Sequence, residues 1–331
     1  MSPWKKRVHA VVAAALTVLI AACTLAAAER ADAAWPGEDG LVVFVGQEPN
    51  GEDGARSTGL RTFTMGKPET LSQLTTDPSD RSPQISPDGR QILFQREIEE
   101  SSSGLPRSAI YLIGSDGQGL RQVTQPAEGE SDAEPAFDPS GQRIIFARSN
   151  YRSNEGDDIY SVALDGSDLR QLTSGPGVDS GPAASPTGRQ IVFERARHKQ
   201  SCSCDLEHIY SMRPDGTQVR NLTPGRRREA TSPDFSPDGK RIAYSAGYLQ
   251  FASVFTMRAN GSHLRQVVDR HPKRTGSTEP VFSPSGDSLL AVAVDRYGSA
   301  LERIRFYKGR FRFASMNAFR GFSPAWGPAP R

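Results

Sequence analysis

A pattern of proline, any residue, an apolar residue, any residue and proline again occurs six times between residues 83 and 328. The copies are Pro83-Gln-Ile-Ser-Pro87, Pro135-Ala-Phe-Asp-Pro139, Pro182-Ala-Ala-Ser-Pro186, Pro233-Asp-Phe-Ser-Pro237, Pro280-Val-Phe-Ser-Pro284 and Pro324-Ala-Trp-Gly-Pro328, and they start 44 to 52 residues apart. A period of that length, filled with short apolar runs and Gly/Asp/Pro turns, is that of a β-propeller blade.

The interior of the repeat agrees. Glycine follows two residues after the second proline of the first five copies, at Gly89, Gly141, Gly188, Gly239 and Gly286, so each copy ends in a tight turn. Apolar residues then alternate, as in Ile92/Phe94, Ile144/Phe146, Ile191/Phe193 and Ile242/Tyr244, and period two predicts a strand with one buried face. A hairpin follows in each unit, from Ile110-Tyr111 through Asp116-Gly117 to Thr124, with counterparts ending at Thr173, Thr223 and Val267. One unit is therefore four antiparallel strands, and residues 62–75 and 304–314 carry eroded versions of the hairpin. Tyr111, Tyr160, Tyr210 and Phe255 are expected to be core residues on which adjacent blades pack.

The sixth copy stops at residue 328 without its turn and second strand, while residues 36–44 supply a turn and a strand with no inner strand before them. Together they make one blade shared between the chain ends, which removes open sheet edges. The expected fold is all-β: a single six-bladed propeller over residues 34–331.

Residues 1–33 read differently. Lys5, Lys6 and Arg7 precede an apolar run from Val11 to Ala22 and then small residues, the pattern of a secretory signal peptide. Cleavage near Ala33 is one reading. The other takes Ile20-Ala-Ala-Cys23 as a lipobox, with Cys23 lipidated and the following residues a tether, which is the one route to a membrane that the sequence offers. Removing 4 basic and 2 acidic residues from totals of 40 and 38 leaves 36 of each. A neutral domain with no basic helix gives no footprint for nucleic acid.

Cys202 and Cys204 sit in a long loop near His198 and His208, at a spacing unlike the usual zinc patterns. In an exported chain they are read as a loop disulfide or a pair of thiols. No nucleophile elbow, zinc-protease helix or phosphate-binding loop is present, and no cofactor or metal is expected. The turn aspartates have a sufficient role in bonding to turn backbone. The variable loops, 46–61, 97–108, 149–157, 194–207 and 294–302, lie opposite the tight turns, where function usually resides. Acids just before the first proline of each copy, Asp80, Asp132 with Glu134, Asp179, Glu229 and Glu279, are expected to ring the mouth of the channel and to contact a partner.

The runs Pro-x-Phe-Ser-Pro-Asp-Gly-Lys-Arg-Ile (233–242) and Ile-Tyr-x4-Asp-Gly-x4-Asn-Leu-Thr (209–223) resemble the WD-like repeats of the TolB propeller family. The resemblance spans residues 36–328 and implies an extracytoplasmic six-bladed propeller used mainly for protein binding. TolB itself resembles a two-domain protein with an α/β domain ahead of its propeller, whereas here the propeller is expected to begin directly after the signal. Two classes of function remain. One is an exported, monomeric, noncatalytic module that binds an envelope or secreted protein, peptide or polymer. The alternative is an extracytoplasmic hydrolase or lyase acting on a sugar or lactone, its channel carboxylates holding a divalent metal or working as acid and base. The histidines lie in or beside outer loops and turns, which favours the first class.

Overall fold

The computed structural model describes residues 36–49, 55–98, 107–152, 156–196, 207–225, 229–247, 252–267, 276–295, 298–307 and 310–330, all within the unit Ala34–Arg331. The signal segment, Cys23, His198, Cys202 and Cys204 lie outside the described residues. Every regular element described is a β-strand. The first three are β1 (Asp39–Pro49), β2 (Ala55–Thr64) and β3 (Lys67–Gln73). Four antiparallel four-stranded blades follow, each in chain order. The first holds β4 (Arg81–Ile85), β5 (Gln91–Ile98), β6 (Arg107–Gly114) and β7 (Arg121–Gln122). The second holds β8 (Glu130–Phe137), β9 (Arg143–Asn150), β10 (Asp158–Ala163) and β11 (Arg170–Gln171). The third holds β12 (Val178–Ala184), β13 (Ile191–Ala196), β14 (His208–Met212) and β15 (Arg220–Asn221). The fourth holds β16 (Ala230–Phe235), β17 (Arg241–Ala246), β18 (Ser253–Arg258) and β19 (Arg265–Gln266).

The chain continues with β20 (Gly276–Phe282), β21 (Ser288–Asp295), β22 (Gly298–Tyr307) and β23 (Arg310–Pro328). These join the first three strands in one seven-stranded sheet, ordered β20-β21-β22-β23-β1-β2-β3. β23 serves two neighbours in succession. Its Phe313 lies opposite Ile304 in β22, and its Trp326 lies opposite Val42 in β1. The chain ends thus pair edge to edge, where the sequence places the two halves of a shared blade.

The fourth strands of the four blades are shorter than their hairpins suggest, only two residues each. In three of the four blades a threonine follows two residues beyond the short strand. Thr124, Thr173 and Thr223 turn their hydroxyls in to accept the N–H of Ile110, Ile159 and Ile209 at 3.0, 2.9 and 3.1 Å. The hydroxyl ties the end of the blade to its third strand, and an outer strand of two residues is too short to template another.

The tight turns are built as the sequence predicts. In the first blade Ser86 Oγ donates to Asp88 Oδ1 at 2.6 Å, and Asp88 accepts the Arg90 N–H at 3.0 Å; Ser236 and Asp238 repeat this in the fourth blade. Gly89 is required twice over: its φ is +75°, and a Cβ there would lie 2.4 Å from the Pro328 carbonyl oxygen. That contact seats the end of the chain on the first blade.

The core lies between sheets rather than within one. Leu93, Ile110 and Leu112 of the first blade pack on Phe137, Ile144 and Phe146 of the second, and equivalent clusters join the second to the third and the third to the fourth. Ala243 and Val254 of the fourth blade meet Phe282 and Leu289, and Val43, Val45 and Leu60 meet Ile85, Ile92 and Phe94 of the first. Tyr111, Tyr160, Tyr210 and Phe255, expected as core, pack against the clusters at the junctions with the preceding blade or strand pair. Tyr111, Tyr160 and Tyr210 are only half-buried, and each stacks on a phenylalanine of its own blade, Phe94, Phe146 or Phe193, at 5.9 to 6.1 Å. The fully buried aromatic is the one on the second strand.

Candidate functional site: the central cavity

A cavity of about 230 Å³ is lined by the inner strands β4, β8, β12, β16 and β20 and by the end of β23. The residue before the first proline of every repeat copy takes a left-handed backbone there. Ser82, Glu134, Gly181, Ser232, Glu279 and Ser323 all have φ between +47° and +54°. Proline disfavours the right-handed helical region for its predecessor, and the bulge at this point sets that residue in the left-handed region in place of the extended one. The strand ladders shift register at that point, between Arg81 and Gln84, Ala133 and Ala136, Ser180 and Ala183, Thr231 and Asp234, and Thr278 and Val281. Five of these six residues are not glycine, and each such conformation costs about 1–3 kcal/mol unless its surroundings hold it. The proline motif visible in the sequence is therefore a channel-lining bulge, repeated around the cavity.

The six acids singled out from the sequence separate into three groups. Asp80, Asp132 and Asp179 do not reach the cavity as free carboxylates. They are almost fully buried, and each forms a two-pronged ion pair with the arginine sixteen residues later, Arg96, Arg148 or Arg195, with oxygen–nitrogen distances of 2.6 to 2.8 Å. Each arginine in turn lies 5.2 to 5.5 Å over the Phe/Tyr pair of its blade. Desolvation explains the arrangement: a buried carboxylate needs a fixed partner, and a planar guanidinium satisfies both oxygens. Burial still outweighs the attraction of Arg148 and lifts the Asp132 carboxyl above its usual range. Glu229 forms the second group. It is half-buried just before β16 and adds its charge to that around Glu207.

Glu134 and Glu279 form the third group and do line the cavity, together with Glu194 of β13 and Asp234 of β16, which sequence reasoning missed. Each accepts a backbone N–H from the next blade or strand set. Glu134 Oε2 takes Gly181 N–H at 2.7 Å, Glu194 Oε1 takes Ser232 N–H at 2.6 Å, Glu279 Oε2 takes Ser323 N–H at 2.5 Å and Asp234 Oδ2 takes Phe282 N–H at 2.7 Å. Burial raises all four carboxyls, Asp234 to about 7, and repulsion adds to it from Glu134, Glu207 and Glu279 on Glu194, from Glu134 on Glu279 and from Asp157 on Glu134. Glu207 is raised as well, by burial and then by Glu229 and Glu134. No lysine, arginine or histidine is among the described residues lining the cavity. No three His, Cys, Asp or Glu side chains among the described residues are grouped as a metal site. Glu194 could have been found by aligning the repeats, because its counterparts after the second-strand aromatic are Gln95, Ala147 and Ser245.

A profile of the TolB β-propeller domain matches residues 106–330. The chain belongs to the TolB β-propeller family. It is 30% identical over 171 residues to a protein TolB homolog of Chlorobium luteolum, a match covering 51% of this chain and 36% of that one. TolB from Acinetobacter baumannii superposes with a TM-score of 0.67 at 22% identity, covering 87% of this chain and 67% of that one. The oligogalacturonate lyase of Vibrio parahaemolyticus superposes with a TM-score of 0.54 at 12% identity over 82% and 78% of the two chains. The chain spans about a third of the length of the curated relatives it matches. Likeness at these identities establishes the TolB-type propeller fold, and the cavity has to be read from its own residues.

What this TolB-type cavity offers chemically is a pocket walled by proline rings and backbone, with carboxyl oxygens as its charged groups. Each carboxylate has one oxygen engaged by an amide. The arrangement suits a positively charged group that brings its own donors.

Proposed function

We propose that this protein is an exported, noncatalytic binding module, a closed six-bladed ring that receives a cationic group of an envelope or secreted protein, peptide or polymer at its central cavity. The observation that carries this reading is the convergence of Glu134, Glu194, Glu279 and Asp234 on one proline-walled cavity whose described lining contains no cationic side chain. A ring of six is supported by the six inner segments that line the cavity and by a core cluster at each junction, including the one between β1–β2 and the first blade. The seven-stranded sheet then counts as two blades sharing the long strand β23, with the chain ends closing the ring. Export is supported by the basic and apolar residues 5–22 and the small residues after them. Of the sequence's six candidate contacts, Glu134 and Glu279 keep a binding role, joined by Glu194 and Asp234. Asp80, Asp132 and Asp179 are assigned to the scaffold.

The test uses matched extended peptides, one with lysine or arginine at a single position and one with glutamine there, and measures binding by fluorescence anisotropy. The basic peptide should bind, weaken as salt rises, and lose affinity in the triple variant E134Q/E194Q/E279Q. Equal binding of the glutamine peptide, or no effect of the triple variant, would refute the cationic-group reading.

A further inference from the structure

The left-handed residues around the cavity need their N–H groups satisfied, and the blades meet this need in an ordered way. The N–H of Glu134 in the second blade goes to Gln95 Oε1 of the first at 3.0 Å. That of Gly181 in the third goes to Glu134 of the second, and that of Ser232 in the fourth to Glu194 of the third. That of Glu279 in β20 goes to Ser245 Oγ of the fourth at 3.0 Å, and that of Ser323 in β23 goes to Glu279. Each left-handed amide at these five successive junctions thus has one side-chain acceptor, always handed forward, and Asp234 adds a second bond, from Phe282 N–H, where the fourth blade meets β20.

Two repeat positions supply the acceptor, and each blade uses only one of them. Gln95, Glu194 and Ser245 occupy the second-strand position, and their blades have Ser82, Gly181 and Ser232 at the left-handed position. Where the second strand offers Ala147 or Val292 instead, the left-handed residue is Glu134 or Glu279. The two positions compete for one space, since a Cβ on Gly181 would lie 2.5 Å from Glu194 Oε1. A blade with neither would leave a strained amide without its acceptor.

We infer that these acceptors are clamps that hold each blade to the next around the channel, and that the glutamate clamps, gathered on one cavity whose described lining has no cation, make the ring more stable in mild acid than at alkaline pH. The groups facing Glu194 are Glu134, Glu207 and Glu279, and Asp157 faces Glu134; Glu229 faces Glu207. All of these are acids. Protonating one glutamate relieves repulsion on the others while its carbonyl oxygen still accepts the amide. The folded state accordingly holds protons that the unfolded chain releases, and stability rises as pH falls from above the raised carboxyl range toward the ordinary value of 4.5. The inference concerns the ring itself and stands whether or not the cavity takes a partner.

Two ligand-free measurements on the full chain test it. Thermal unfolding at pH 5, where little ionisation cost remains to be relieved, should show a lower midpoint for E134S, and most of the loss should return in E134S/A147Q, which copies the Ser82/Gln95 arrangement of the first blade. No loss in E134S, or no recovery on adding A147Q, would overturn the clamp. In the second measurement the wild-type midpoint should climb between pH 8 and pH 5.5, and the climb should flatten in E194Q. A wild-type midpoint flat over that range, or an E194Q profile parallel to the wild type, would overturn the proton linkage. Neither readout depends on peptide binding, so failure here is distinct from failure of the binding reading.

Discussion

Asp234 should destabilise the protein at neutral pH, and replacing it by asparagine should raise stability. Its carboxyl sits in the cavity wall with no cation beside it, and burial lifts it from 3.8 to about 7. A difference of roughly 3 pH units at about 1.4 kcal/mol each costs the folded state about 4 kcal/mol when the group is fully ionised. The side chain is half-open to the cavity, so solvent reduces this, and a gain of about 2 kcal/mol in D234N is the working figure. The asparagine oxygen can still accept the Phe282 N–H, which keeps the junction intact. The sign follows from the raised value. Because the folded state binds the proton more tightly, the cost is present above pH 7 and fades by up to about 1.4 kcal/mol per pH unit from there down toward 3.8. For a domain of about 300 residues, 2 kcal/mol is a shift of about 3 °C in the unfolding midpoint. Differential scanning calorimetry at pH 8 and pH 5 reads it: D234N should lead the wild type at pH 8, and at pH 5 the lead should shrink to less than half. A variant less stable than the wild type at pH 8, or an advantage equal at both pH values, would refute the electrostatic account.

Two further outcomes are expected. R148M should lose about 3–5 kcal/mol in chemical denaturation because it strands Asp132 in the interior, whereas D132A/R148A should lose far less, since the fourth blade already has Ala230 opposite Ala246 at the same register. Intact mass of the protein recovered from its own envelope should show a chain starting near residue 34, or a diacylglyceryl adduct on Cys23; a retained residue 1 would contradict export.

The strand plan was legible because its determinants are local. Proline and glycine positions set the turns, and period-two apolar residues set the buried faces, so residues 83–94 announce two strands and their connection without reference to the rest of the chain. The length of the fourth strands was not legible in this way. Thr124 reads as one more strand residue, and only the fold shows that the strand ends at Gln122 and that the threonine hydroxyl accepts the Ile110 N–H. The tyrosines were legible in part, since they pack at the blade junctions as expected but stay half-buried. Recurrence marks a position as structural, but it does not show that the same ring also lies beneath an arginine of its own blade.

The candidate site was legible only in part, because charge alone does not say where a carboxylate points. Asp132 and Glu134 are two residues apart, yet one is sealed against Arg148 and the other opens on the cavity, and the bulge between them causes the difference. A strict alternation would have put both side chains on one face. The repeat itself contains the information that a single blade lacks. Asp80, Asp132 and Asp179 each have an arginine at the facing second-strand position, while the counterparts Ala230 and Ser277 face Ala246 and Ala293. Members of a pair that are present or absent together are partners to each other. Glu134 and Glu279 have no such companion cation; what varies with them is the acceptor position on the neighbouring strand. Comparison among the blades of one chain therefore separates the acids that complete the scaffold from those that face the channel, and it does so on chemical grounds before any ligand is known.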